Sequence, residues 1–537
     1  SQVESHKCPR DFSRKNVAKR IWDGASPRTR LALKAYLDKE VGNAKKKIKI
    51  ATDNLADMMV TGLTQNEAIR VATILNRIPG IKMSPKYRNK LSGMLHEVDD
   101  FFEARRTQLL RKAKNEDEDN PGQRDELEEF ETWGVYCKDV PAFVEFVKAQ
   151  KGLEGVPCIH KVGMDSGQGS LKITLSIQRD DGPTASGEPR PGPSGLVGKI
   201  TGAISKATQR GDKYKDSGVK QIFLLAVLPN VTENYPNIKT IMEELDLEEF
   251  NYNVASDFKL INLAVGQQGH RSTFPCPFCT TNYRGLNFED QYEAELRTFG
   301  FNREMAKKFQ ANKKTAAKNC YNVVHEPVLV ADDDDYILDL VLISSLHINI
   351  GLSNKILVQM DKDLDENGWI LAWLKKYSIL GNRDDTLDDL NGPATTKFFN
   401  NLENLRTDLT KAKLDFLHKY VDVAQALFDV RTACFGTDPN SLDENYDEKI
   451  THLESLWNGA GLSITTKAHV LFRHVREQIM KYDMPLGRYS EQAVEACHYD
   501  FKQHYKGYKR MPNTKDYAEK LLRALCSYNS LHMRNWN

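Results

Sequence analysis

Cys276 and Cys279, in HRSTFPCPFCTTNY (270–283), are the one CxxC pair in a chain of 537 residues. Two thiolates at that spacing are half of a tetrahedral zinc site. Thirteen histidines could supply the other half, and His469 and His474 in KAHVLFRHVREQ (467–478) stand as HxxxxH, within the range of Cys₂His₂ sites. On an ideal α-helix that spacing turns the two side chains about 140° apart, so the segment must unwind locally or the ion must be approached from one side. Without a metal, the thiols are two buried cysteines and the histidines an ordinary packed or surface pair.

A second chemistry needs hard oxygen ligands. Asp165 ends VPCIHKVGMD (156–165) before an SGQG turn, and Asp257 follows FNYNVAS (250–256). Glu491 and Glu495, in GRYSEQAVEACHYDFKQHYKGYKR (487–510), are four residues apart and share a helical face. Carboxylates brought together this way hold two magnesium or manganese ions, which clamp the attacking and leaving oxygens of a phosphodiester. The basic run YDFKQHYKGYKRM (499–511) would lie where phosphates pass, with Tyr499, Tyr505 and Tyr508 as stacking surfaces. With 74 acidic residues in the chain, a strand-end aspartate capping a turn and a solvated glutamate face are the plain alternatives.

These side chains depend on elements that the periodicity outlines. Strands are expected over 156–165, 170–178, 219–229 and 250–256, with helices over 237–247 and 258–266. The order β-β-β-α-β-α matches an RNase H-like core. Upstream, 65–78 and 89–113 read as basic helices, and the acidic stretch NEDEDNPGQRDELEEFE (115–131) as a linker. DDGPTASGEPRPGPSG (180–195) reads as a surface insertion. Downstream the pattern is helical over 336–360, 415–435 and 514–529. The expected division is a basic helical region for DNA binding and dimerisation (1–114) and an acidic linker with a pre-catalytic segment (115–155). A first part of the core (156–266) and a helical zinc-binding insertion (267–480) follow, and the catalytic-glutamate helix with a basic C-terminal region (481–537) closes the chain.

Net charge is only +1, yet residues 1–114 carry about twice as many basic as acidic side chains, including Lys45, Lys46, Lys47 and Lys49. That footprint suits a polyanion, and a solvated basic helix surface explains the charge equally well. Nine scattered cysteines argue against a disulfide framework and for a reducing compartment, and no apolar run is long enough to span a bilayer.

Taken in order, the motifs resemble those of Transib transposases and the catalytic subunit of the V(D)J recombinase. GMDSGQGS (163–170), SDFKLINLAVGQQGHRSTFPCPFC (256–279), SSLHINIG (344–351), HVLFRH (469–474) and GRYSEQAVEACHYDF (487–501) carry the resemblance. It implies an RNase H-like α/β core with a mixed sheet, interrupted by a large, mainly helical zinc-binding insertion and flanked by helical terminal regions. Asp165, Asp257 and Glu495 become the catalytic carboxylates for two Mg²⁺ or Mn²⁺ ions, with Glu491 as the neighbouring alternative. Cys276, Cys279, His469 and His474 become ligands of one structural Zn²⁺. His347 would sit near the active site or pack as an ordinary helix histidine, and Tyr489 could stack on a distorted base. The implied protein is a nuclear, homodimeric cut-and-paste DNA transposase. It binds double-stranded terminal inverted repeats, nicks and hairpins DNA at the element ends, and joins 3′-OH ends to target DNA, with room for an accessory subunit. Rival readings are a domesticated DNA-binding protein, another RNase H-like nuclease, and a zinc-stapled helical interaction protein.

Overall fold

The alternation in SLKITLSIQR would ordinarily give a strand one apolar face and one wet face. In the computed structural model, β4 (Ser170–Arg179) is instead buried on both sides. The model describes residues 97–112, 127–180, 221–269, 272–282, 292–312, 314–365, 368–381, 386–387, 390–505 and 515–534. Leu171, Ile173, Leu175 and Ile177 enter the core, whereas Lys172, Thr174, Ser176 and Gln178 form a buried polar face. The late chain covers that face. Lys172 reaches His498, and the Gln178 amide donates to the Arg488 carbonyl at 3.1 Å.

β4 lies inside a six-stranded mixed sheet in the order β1-β2-β5-β4-β3-β6. The other strands are β1 (Phe102–Lys112), β2 (Leu127–Cys137), β3 (Cys158–Asp165), β5 (Ile222–Pro229) and β6 (Asn253–Ser256). Only β3 and β6 run parallel; the remaining neighbours are antiparallel. IFLLAVLP has no polar position, and β5 is buried throughout, as a strand with both faces covered must be.

The helices that bear on the site are α1 (Val140–Gln150), α2 (Tyr235–Leu245), α3 (Phe258–Ala264), α4 (Phe299–Ala311), α5 (Ser345–Asp363), α6 (Gly392–Phe399), α7 (His418–Cys434), α8 (Gln492–Tyr505) and α9 (Lys515–Arg534). Several begin at side-chain caps that the sequence supplies. Asn234 accepts from the Asn237 N–H, and Asp257 from the Leu260 N–H.

Strands β3 to β6, with α2 and α3, fall where periodicity puts them. Three expectations change. The segment 89–113 reads as helix, but its second half is β1; all eleven residues pair with β2, and Arg106–Glu131 and Arg111–Glu128 bridge the two strands. Arginine, glutamine and leucine favour helix only weakly, and a full-length partner overrides them. The same pairing takes Leu127–Glu131 out of the supposed acidic linker and into β2. Finally, the run over 336–360 is not one helix. Ile337–Leu340 is a single turn, the chain then extends so that Leu342 N–H reaches the Val254 carbonyl at 2.7 Å, and α5 starts at Ser345. Val341 and Val254 thereby form an isolated parallel bridge beside β6. Residues 65–78, the insertion from 181 to 195, and 506–511 lie outside the described residues.

Buried amides finish the strands where neighbours run out. Asn237 in α2 accepts from Leu110 N–H (2.8 Å) and donates to Leu110 O (2.7 Å) on edge strand β1. Asn529 in α9 does the same for Leu224 of β5 at 2.8 and 2.9 Å, beyond the two residues that β5 pairs with β2. One turn on, His532 Nδ1 contacts the Ile222 carbonyl at 2.8 Å. Asn529→Leu should therefore strand two buried backbone groups and destabilise the chain by about 1–3 kcal/mol, read as a lower denaturation midpoint at unchanged slope.

Candidate functional site

The thiols lie in the turn after α3. Gln267 holds that turn by donating to the Phe274 and Cys276 carbonyls. From the other side fully buried Arg297 donates to the Cys279 carbonyl at 2.8 Å and to the Tyr321 carbonyl at 3.1 Å. The histidines come from a helix that Thr465 starts by accepting from the Ala468 N–H. At Val470–His474 this helix loosens into one π-helical turn. A π turn holds more residues than an α turn, so side chains five apart return to one face. His469 and His474 bring their Nε2 atoms within 3.1 Å of each other.

Cys276 Sγ lies 3.4 Å from His474 Nε2, and Cys279 Sγ 3.2 Å from His469 Nε2. All four ligand atoms fall within 4.8 Å of one another, and all four residues are buried. A tetrahedron with metal–ligand bonds of about 2.0–2.3 Å has edges of roughly 3.3–3.8 Å, so the cluster can hold an ion such as zinc with little movement. Glu477 Oε2 accepts from His474 Nδ1 at 2.5 Å, which leaves the Nε2 lone pair toward the thiols. Burial pushes the Cys276 thiol well up, and the neighbouring Cys279 adds to that. Burial also opposes ionisation of Cys279, but hydrogen bonds from Cys276 and both imidazoles outweigh it and hold this thiol well below its usual range. The site offers four protein ligands, one atom from each of four buried side chains.

Asp165 and Asp257 each follow directly on the in-register pair Met164↔Ser256 of the parallel strands β3 and β6. They are thus neighbours at the C-terminal ends of adjacent strands. Helix α8 lies directly on β3, where a Cβ at Gly163 would meet Val494 Cγ2 at 2.5 Å. Glu495 follows Val494, and its Oε1 lies 3.2 Å from His347 Nε2.

The two glutamates have different roles. Glu491 is 2% exposed and accepts from the Ser344 hydroxyl (2.6 Å) and the His347 backbone N–H (3.0 Å), with His347 Nδ1 also at 3.0 Å. Glu495 keeps 42% of its side chain exposed. Glu491 therefore anchors His347, and Glu495 faces outward. Burial alone would depress His347, but Glu491 and Glu495 lift it to about 10.

His498, one turn after Glu495, serves Asp165 in a comparable way, with Nε2 2.7 Å from Oδ2. Lys172 Nζ stands 2.7 Å from His498 Nδ1. The same Nδ1 also lies 2.9 Å from the Gly167 carbonyl. Burial opposes the charge of Asp165, yet His498, the Ser166 N–H and His347 together hold its carboxyl below the usual range. Burial likewise brings Lys172 down to about 8. On the neighbouring strand Lys161 is also brought to about 8, although Glu491 opposes the shift, and its ammonium donates to Ser490 O at 2.9 Å.

Among the described residues, the Cys/His quartet is the group whose ligand atoms lie within 4.8 Å. Asp165, Asp257 and Glu495 do not close to that spacing; they hold His498, the Leu260 N–H and His347 respectively. Tyr489 ends the short 3₁₀ turn Leu486–Tyr489, and its side chain lies outside the described part. Tyr499 is exposed, while the Tyr505 side chain and all of Tyr508 lie outside the described part. His498, Glu477, Lys161 and Lys172 are additions to the expected site. His498 and Glu477 had a sequence signal, a partner three residues from Glu495 and from His474; a lysine inside an apolar strand is the signal for the other two.

A family described as a domain of unknown function (DUF8703) has a model that matches residues 218–317, which span β5, α2, β6, α3, both thiols and α4. No curated protein matches the chain. Among the described residues no helix is long and apolar enough to cross a membrane.

Elemental analysis of purified protein should find about one zinc per chain. Cys279→Ser and His474→Ala should lose it together with several kcal/mol of stability. For the His347 clamp, the folded pKa lies above the unfolded value near 6.5. Its contribution is complete below about pH 6.5 and is lost as pH rises through about 10. Without divalent cations, the melting temperature should fall more steeply between pH 7 and 10 in the wild type than in His347→Gln.

Proposed function

We propose that the chain is a DNA recombinase of the DDE transposase class. The observation that carries this reading is the placement of Asp165 and Asp257 one residue beyond Met164↔Ser256, with Glu495 on the helix that lies over β3. The strand order supports it as well. From β5 through β4, β3 and β6 to the Val341 bridge, neighbours are antiparallel twice and then parallel twice, the pattern of an RNase H-like core.

Magnesium or manganese on these hard oxygen donors would supply the Lewis acid that activates water and steadies the leaving oxygen. The chain's own residues do the rest. His498 orients Asp165, and His347 orients Glu495, so the carboxylates keep their charge and direction in a partly buried site. Attack of water on a phosphodiester at the element end releases a 3′-OH. That hydroxyl attacks the opposite strand, leaving a hairpin on the flanking DNA, and the element's 3′ ends later join target DNA. No covalent protein intermediate forms. The zinc quartet is structural, pinning the helical insertion beside the carboxylates. Basic residues of 1–114 and 499–511 hold phosphates, a homodimer pairs two element ends, and the protein acts in the nucleus.

The well-formed quartet also favours one plainer reading, a zinc-stapled helical interaction protein. Purified full-length chain with a terminal-repeat duplex and Mg²⁺ or Mn²⁺ separates the two. Nicks and hairpins should form and fall at least about 100-fold in Asp165→Ala, Asp257→Ala and Glu495→Ala. Cleavage that survives all three changes, or a wild type with no divalent-dependent cleavage, overturns the recombinase reading.

A further inference from the structure

Lys172, on β4, is 1% exposed, and its register partner on β3 is Asp165. Three polar atoms surround its Nζ: Ser170 Oγ at 2.7 Å, His498 Nδ1 at 2.7 Å and the Gly167 carbonyl at 3.2 Å. The Gly167 carbonyl also lies 2.9 Å from His498 Nδ1, so amine, carbonyl and ring close a triangle. Its corners come from β4, from the short turn Gly167–Gly169 and from α8. Filling this space is a task that methionine or leucine performs without burying a charge. A lysine here does something more than pack.

The turn is fitted to the imidazole from its other side. A Cβ at Gly167 would stand 2.7 Å from His498 Cγ and 2.9 Å from Nδ1, so the ring lies directly against this backbone. The far nitrogen, Nε2, is 2.7 Å from Asp165 Oδ2. Asp165 is followed directly by Ser166 and Gly167, so the same turn also sets the direction in which its strand ends. Lys172 thus touches both groups that fix this carboxylate, the backbone that follows it and the ring that faces it.

We propose that Lys172 is a positioning residue for Asp165. By tying the Gly167 turn to the His498 imidazole, it sets how tightly this carboxylate holds a divalent cation. That the cation serves DNA cleavage rests on the function proposed above; the effect on cation affinity does not.

The test uses full-length protein titrated with Mn²⁺ and followed by electron paramagnetic resonance, first without DNA. The Mn²⁺ binding that Asp165→Ala abolishes defines the site. Lys172→Met, which keeps the length of the side chain and removes its charge, should weaken that binding about tenfold. Gly167→Ala leaves the lysine in place but pushes the ring aside, and should weaken it to a similar degree. With a terminal-repeat duplex, Lys172→Met should need about tenfold more Mn²⁺ for half-maximal cleavage and recover most of the rate at saturating cation. Asp165→Ala should not recover. Melting curves establish that each variant folds, and Gly167→Ala reads the site should Lys172→Met fail to fold. A lower melting temperature with Mn²⁺ affinity unchanged in both folded variants reduces Lys172 to a packing role and overturns the proposal. So does a wild type in which no Mn²⁺ binding depends on Asp165. Weakened Mn²⁺ binding in the variants of a protein that never cleaves DNA upholds the positioning role and rejects the recombinase.

Discussion

Cys279 and His469 are 190 positions apart, the chain between them must return to its starting point, and much of the site depends on that closure. Closing a flexible loop of such length costs about 5 kcal/mol plus a constant. A structural zinc contributes on the order of 10–16 kcal/mol where it binds, so an ion such as zinc, which this quartet could hold, would exceed that cost. Its influence extends past the four ligands. Gln478, four residues after His474, donates to the Leu338 and Val341 carbonyls and accepts from the Ile343 N–H. That clamp fixes the extended segment beside β6, which delivers Ser344 and the start of α5. Ser344 and His347 then hold Glu491, and His347 reaches Glu495. A contiguous chain of contacts thus joins the thiols to the outward-facing glutamate.

The same device recurs across the sheet. Asn237 and Asn529 each present an amide to strand backbone that lacks a neighbouring strand, and Gln478 does so for the extended segment beside β6. An amide offers a donor and an acceptor together, so it can satisfy both groups of one residue where an ionised carboxylate, which only accepts, cannot. Each interaction ties a helix to a strand at a defined register, and these are contacts that apolar packing alone would leave free to slide.

Electrostatics at the acidic end follow a matching logic. Carboxylates gathered in a half-buried place repel one another and lose hydration. His498 and His347 answer this from within the fold, one on Asp165 and one between Glu491 and Glu495. Lys172 and Lys161, forced under the late chain by the polar face of the strands, add positive charge without reaching solvent. The soft ligands of the quartet come from different elements than the carboxylates Asp165, Asp257 and Glu495.

Local pattern was enough for strands β3 to β6, because their apolar runs and bounding turns are short-range properties. It was also enough to pair CxxC with HxxxxH, since ligand type and spacing are set by the metal. It was not enough for β1 and β2, whose arginines and glutamates read as helix and linker until each strand has the other to pair with. Nor could it decide between Glu491 and Glu495, which share one helical face; burial under Ser344 and His347 separates them. The π turn that aims both histidines, the break at Val341 and the placing of His498 on Asp165 likewise depend on partners more than eighty residues away in sequence. Periodicity records which side of an element avoids water, and ligand spacing records what an ion can accept. Which distant element supplies the cover or the counter-charge is decided only when the chain closes on itself.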